Sequence, residues 1–117
     1  MKIDDSNVTI MVADLDRSIR FYESIGLKLK QKWEDHYAMV SAQGITIGLH
    51  PSDMPVRGSG SLSIGFMTGS LKEGVSLLEK NQIAYHLREG KSGKYAHFED
   101  PDKTILYFVE PMWEESP

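Results

Sequence analysis

Four histidines, five tyrosines, two tryptophans and six methionines are the residues of this 117-residue chain best suited to bind or transform another molecule. There is no cysteine, so a disulfide, a thiolate metal site and a cysteine nucleophile are all excluded. Aromatic rings bring large contact areas with defined ring geometry. Methionines bring soft, adaptable walls. Imidazoles can move protons or fix a ligand near neutral pH. The candidates that fall on strand-like stretches are Tyr37, Tyr95, Tyr107 and Trp33, then Met11, Met39 and Met67, then His50 and His97. Asn7, Thr9 and Ser63 add neutral hydrogen-bonding groups. A mixture of aromatics, methionines, hydroxyls and two histidines is the composition of a small-molecule pocket.

The remaining chemistry-bearing residues read as structural. His36 belongs to a polar turn, Glu34-Asp35-His36, and His86 lies near the end of a strand beside Tyr85 with no obvious partner. Glu99 and Asp100 follow His97 closely, yet Asp100-Pro101-Asp102 is a turn signature in which Asp serves geometry. Gly58-Ser59-Gly60 lacks the following Lys and helix of a phosphate-binding loop. No nucleophile motif or nucleotide fingerprint is present, and these residues assign no catalytic group.

These side chains must be positioned by strands and helices whose periods are visible. Val8, Ile10 and Val12 alternate with Thr9 and Met11, the period of a half-buried strand. Asp14 can cap a helix in which Leu15, Ile19, Tyr22 and Ile25 share one face, and Gly26 supplies its left-handed end. Strands follow at 28–33, 37–41 and 45–50. The pattern then starts again: Leu62, Ile64 and Phe66 alternate with Ser63, Gly65 and Met67. Ser70 and Glu73 form a capping-box pattern, and Leu71, Val75 and Leu78 repeat the spacing of Leu15, Ile19 and Tyr22. Strands are expected at 83–87, 95–98 and 104–109, with Arg88 to Lys94 as a charged, glycine-bearing hairpin loop that is also a candidate flap. A Tyr-Ala pair recurs at Tyr37-Ala38 and Tyr95-Ala96. Two long copies make a duplicated domain and not a solenoid. The modules run about 7–51 and 61–111 with a linker about 52–60, inside one domain spanning 1–117. The tail after Met112 is acidic, and Trp113 is its large apolar residue.

The order β-α-β-β-β, twice, with Val12-Ala13-Asp14-Leu15-Asp16-Arg17-Ser18-Ile19-Arg20-Phe21-Tyr22, Gly26-Leu27 and Asp100-Pro101-Asp102, resembles the vicinal oxygen chelate superfamily. That superfamily includes glyoxalase I, bleomycin and fosfomycin resistance proteins and extradiol dioxygenases. The resemblance spans nearly the whole chain and implies an α+β fold. Its two βαβββ modules form an eight-stranded, incompletely closed sheet with helices on the convex side. The strand parity that avoids the helices would then line a cleft, which gathers Asn7, Thr9, Met11, Trp33, Tyr37, Met39, His50, Ser63, Met67, Tyr95, His97 and Tyr107 as ligand-binding candidates.

Metal-dependent members hold a divalent ion with His or Glu on the cleft parity of the first, fourth, fifth and eighth strands. Those positions correspond to Asn7, Gly48, Ser63 and Tyr107, none of which is a His, Asp or Glu. Transition metals need imidazole and carboxylate donors here, so the expectation is no metal and no cofactor. A slip of two residues would put His50 in place of Gly48. A slip of one would turn the position to the helix side.

Functionally the resemblance implies a metal-free, resistance-like binding protein for an aromatic or planar ligand, and the net charge of −4 favours a cationic one. The alternative is a lyase, dioxygenase or isomerase using His50 or His97. A third reading is a dimeric module without a ligand. The acidic balance and the lack of a basic run argue against nucleic acid, and no apolar stretch reaches the length of a membrane span. Met1-Lys2-Ile3-Asp4-Asp5 is no signal peptide, which makes the cytoplasm the expected location. Exposed sheet edges, together with the family habit, lead us to expect a homodimer.

Overall fold

A computed structural model describes residues 1–53, 58, 60 and 62–112. The expected linker lies largely outside the described residues, as do Trp113 and the tail beyond it. The chain divides into two compact units, Met1–Arg57 and Gly58–Pro117. The first contains β1 (Val8–Val12), α1 (Leu15–Ser24), β2 (Lys28–Trp33), β3 (Tyr37–Ala42) and β4 (Ile45–Pro51). The second contains β5 (Ser63–Met67), α2 (Leu71–Lys80), β6 (Tyr85–Gly90), β7 (Gly93–Glu99) and β8 (Ile105–Pro111). The eight expected strands thus form as two four-stranded sheets, ordered β1-β4-β3-β2 and β5-β8-β7-β6. In each, the outer pair β1–β4 or β5–β8 is parallel and the remaining pairs are antiparallel. The fold is α+β, with one helix on one face of each sheet.

The core of the first unit follows from strand parity. Ile10, Val12, Ala38, Val40, Ile47 and Leu49 are buried on the face covered by α1, which packs across β2, β3 and β4. Leu15, Ile19 and Tyr22 bury the apolar stripe of the helix against them, and Ser18 joins them at full burial. Asp14 begins the helix by accepting the Arg17 N–H at 3.0 Å. Gly26, at φ +109°, ends it with the paired bonds of a Schellman motif: Leu27 N–H to the Tyr22 carbonyl and Gly26 N–H to the Glu23 carbonyl.

The second unit repeats the plan with different residues. Ile64, Ala96, Phe98, Leu106 and Phe108 are buried beneath α2, which packs on β7 and β8 and contributes Leu71 and Leu78. Ser70 caps α2 by accepting the Glu73 N–H at 3.3 Å. The expected capping box is completed differently. The Ser70 N–H donates to Thr68 Oγ1 at 3.2 Å, so a threonine two residues upstream replaces the glutamate in the return bond. The Glu110 carboxylate accepts the Leu71 N–H at 2.9 Å, placing negative charge at the positive end of the helix.

One boundary moves in a way that matters. The stretch 88–94, expected as a loop, is mostly strand. β6 runs to Gly90, β7 starts at Gly93, and Gly90 pairs with Gly93 across a two-residue turn. Conversely Ile83 and Ala84, expected in the strand, precede it. Ile83 serves the helix end, donating its N–H to the Leu78 carbonyl.

Candidate functional site

Among the described residues each sheet has one face without a helix, and the alternation places all the candidate residues there or at its margin. In the first unit Thr9 pairs with Gly48, Gly48 with Met39, Met11 with His50, and Tyr37 with Trp33, so these side chains share the open face. Asn7 precedes β1 and reaches the same face. Its Nδ2 donates to Tyr37 Oη at 3.4 Å, and Tyr37 Oη lies 3.0 Å from Thr9 Oγ1. Trp33 and Tyr37 have ring centroids 5.5 Å apart, and His50 stands edge-on to Tyr37 at 6.3 Å. A shallow depression of about 250 Å³ on this face is lined by Asp5, Ser6, Asn7, Lys30, Met39 and Thr46.

Gly48 explains how Tyr37 gets across the sheet. A Cβ there would overlap the Tyr37 hydroxyl and come within 2.7 Å of Thr9 Oγ1. Only the absence of a side chain on β4 lets the phenol, rooted on β3, pass over that strand to a threonine on β1. The sequence reading treats Gly48 as an absent metal ligand. The structure shows it as the seat of an aromatic side chain.

In the second unit the same face carries Ser63, Gly65 and Met67 on β5, Ile105 and Tyr107 on β8, and Tyr95 and His97 on β7. Tyr95, His97 and Tyr107 form a closed ring cluster. Tyr95 and His97 stack at 5.8 Å with 20° between planes, His97 and Tyr107 lie 5.5 Å apart, and Tyr95 and Tyr107 lie 5.9 Å apart. Tyr107 is seated over Gly65, where a Cβ would overlap its ring. Tyr95 Oη is tied to Ser92 Oγ at 2.6 Å.

Two residues join this face that the sequence reading left aside. His86 pairs in register with His97, and Arg88 with Tyr95. Both belong to β6, and only its observed extension brings Arg88 onto the sheet. The parity of the expected strand at 83–87 would have placed His86 here, whereas Arg88 lies past its expected end on an exposed edge strand that carries no apolar signal.

The four positions where the resemblance puts metal ligands remain Asn7, Gly48, Ser63 and Tyr107. An amide, a hydrogen, a hydroxyl and a neutral phenol do not make a transition-metal site. Among the described residues no group of three or more His, Asp or Glu side chains stands ready to hold a metal ion. His50 and His97 have no hydrogen bond or ion pair to a described residue, so neither imidazole is oriented by a carboxylate in the manner of a general base. Among the described residues no helix is long and apolar enough to cross a membrane.

The fosfomycin resistance protein FosX of Listeria monocytogenes superposes with a TM-score of 0.79 at 17% identity, covering 96% of this chain and 96% of that one. A bleomycin resistance determinant encoded on the transposon Tn5 gives 0.70 at 16% identity over 95% and 100%. Lactoylglutathione lyase of Agrobacterium tumefaciens gives 0.73 at 14% over 94% and 96%. At these identities the likeness establishes the fold alone. No curated protein sequence matches. The family model described as Glyoxalase/Bleomycin resistance protein/Dioxygenase superfamily matches residues 6–107. With that match across most of its length, the chain belongs to the glyoxalase/bleomycin resistance protein/dioxygenase superfamily.

Proposed function

We propose that this chain is a metal-free small-molecule-binding protein that holds a planar or aromatic ligand on its helix-free sheet faces, by sequestration and not by catalysis. The observation that carries the reading is the pair of tyrosines seated on glycines. Tyr37 lies over Gly48 and Tyr107 over Gly65, so each open face carries a fixed ring at or beside a position to which the family resemblance assigns a metal ligand. Rings fixed in this way offer stacking surface at little entropic cost. Met11 and Met67, 49% and 57% exposed on the same faces, leave adaptable apolar surface uncovered, as does Trp33 at 40%. The fosfomycin and bleomycin resistance neighbours lend a precedent in fold for a resistance-like role.

The protein is further proposed to be a cytoplasmic homodimer, for which sedimentation at micromolar concentration is the direct test. The deciding experiment for function is an intrinsic-fluorescence titration with aromatic compounds, followed by elemental analysis of untagged protein prepared without chelator. Saturable quenching by an aromatic compound, with no stoichiometric zinc, nickel, manganese or iron, is the expected result. Stoichiometric metal lost on His50→Ala would replace the binding protein with a metalloenzyme.

A further inference from the structure

The net charge of −4 points to a cationic ligand, but net charge is a property of the whole surface. The open face of the second unit has its own charge pattern. β5 contributes Ser63, Gly65 and Met67, and β8 contributes Ile105, Tyr107 and Val109, with no charged group. β6 contributes His86 and Arg88, and β7 contributes Glu99 beyond Tyr95 and His97. Arg88 is paired in register with Tyr95, and cross-strand neighbours have Cβ atoms about 5 Å apart. Its guanidinium has no hydrogen bond or ion pair to a described residue.

Glu99 lies four residues along β7 from Tyr95 and its partner Arg88, about 13 Å at strand rise and beyond a Debye length of about 8 Å at physiological salt. It is only two residues, about 7 Å, from His97, so its charge bears on the far end of the ring cluster and not on the Arg88 end. Two other carboxylates in the neighbourhood belong to the opposite face. Glu89 pairs with Lys94, and the two share an edge depression of about 290 Å³ with Arg88 and Tyr95 where they offset each other's charge, while Glu110 is engaged by the Leu71 N–H. At the Tyr95 end, therefore, the face offers one permanent cation, two imidazoles that can each donate an N–H even when neutral, and a stacking wall. That wall is held in place by the Ser92–Tyr95 bond.

Building on the ligand-binding reading above, we infer that the ligand is an aromatic or planar acid. Its ring lies on Tyr95, His97 and Tyr107, and its carboxylate or phosphonate is met by Arg88, with His86 as a second donor. Arginine suits this role because its planar fork matches two acid oxygens at once and still stacks on aromatic rings.

The test uses the full chain and three naphthalene probes of closely similar size: 1-naphthoate, 1-naphthylmethanol and 1-naphthylmethylamine. Isothermal titration gives affinity, and NMR shifts of Tyr95, His97 and Tyr107 give location. Naphthoate should bind about tenfold more tightly than the alcohol, the factor that one charge-assisted hydrogen bond supplies. That preference should shrink with added salt and vanish in Arg88→Gln. Arg88→Lys should keep part of it, since the charge remains and the fork is lost. Equal or tighter binding of the amine or alcohol, or a naphthoate preference that survives Arg88→Gln, overturns the acid assignment and returns Arg88 to the role of an edge-strand charge. The ligand-binding reading stands in that case. If no probe perturbs the ring cluster, the aromatic-ligand reading fails and this inference with it.

Discussion

The two units solve the same structural problems with different residues, and the differences separate what the fold demands from what each face is for. Both end their helix with a Schellman-type pair of bonds. The first places Gly26 at positive φ, while the second places Gln82 there at φ +57°. Both turn from the third strand of the unit to the fourth. The first uses Gly44 at φ +88°, while the second uses Asp100, whose carboxylate accepts the N–H groups of Asp102 and Thr104 at 2.9 and 2.8 Å. Both pack the third turn-facing position of the helix on the fourth strand. Ser18 and the aliphatic Leu49 are both fully buried in the first, and Gly74 makes room for the larger Phe108 ring in the second. On the open faces the glycine has changed strands, from β4 under Tyr37 to β5 under Tyr107. The backbone plan tolerates each exchange because a local loss in one partner is matched by a gain in its neighbour.

That matching can be broken by mutation. The largest effect is expected at the helix key. Tyr22→Ala and Leu78→Ala each empty a fully buried site and should cost about 3–5 and 2–5 kcal/mol respectively in denaturant unfolding. A loss below about 1 kcal/mol at either site would show that its helix is not held by that side chain. Next comes the turn. Asp100→Ala strips two backbone N–H groups of their acceptor and should cost about 1–3 kcal/mol.

Gly74→Ala gains about 1 kcal/mol of helix propensity. It also brings a Cβ to 2.9 Å from Phe108 Cδ2, an overpacking cost of about 1–3 kcal/mol, so the net change should be destabilising. Pairing it with Phe108→Leu, which gives the second unit the aliphatic layer of the first, should recover part of the loss, and a thermal-melt double-mutant cycle reads this coupling directly. Additive effects would mean that the two positions do not share the space the geometry assigns them. The smallest effect carries the opposite sign. Gln82→Gly should stabilise by about 1 kcal/mol, because a left-handed conformation penalises a side chain by roughly that amount. The gain is partly offset by the greater entropy of the unfolded glycine.

Much of this molecule was legible in one dimension. The strand alternation at 8–12, 45–50 and 63–67 and the helix spacing from Leu15 and Leu71 are local periodicities, whereas Leu62, expected to open the fifth strand, precedes it and is exposed. A buried face imposes these periodicities on the sequence directly, so the duplicated βαβββ order and the parity of each strand could be read without coordinates. The boundaries of β6 could not. Arg88, Glu89 and Gly90 are polar or flexible because β6 is an edge strand exposed along most of its length, and exposure erases the apolar signal that marks a strand.

The site was legible as a set of residues but not as an arrangement. Parity assigns Tyr37, Met39, Tyr95 and His97 to the open faces. Cross-strand register decides that His86 meets His97, that Arg88 meets Tyr95, and that Tyr37 crosses Gly48 to reach Thr9. The physical reason is that alternation is a property of one strand, carried by each residue's own burial. Register and ring placement are properties of pairs far apart in the chain, decided only when hydrogen-bonded neighbours and a vacant glycine site come together.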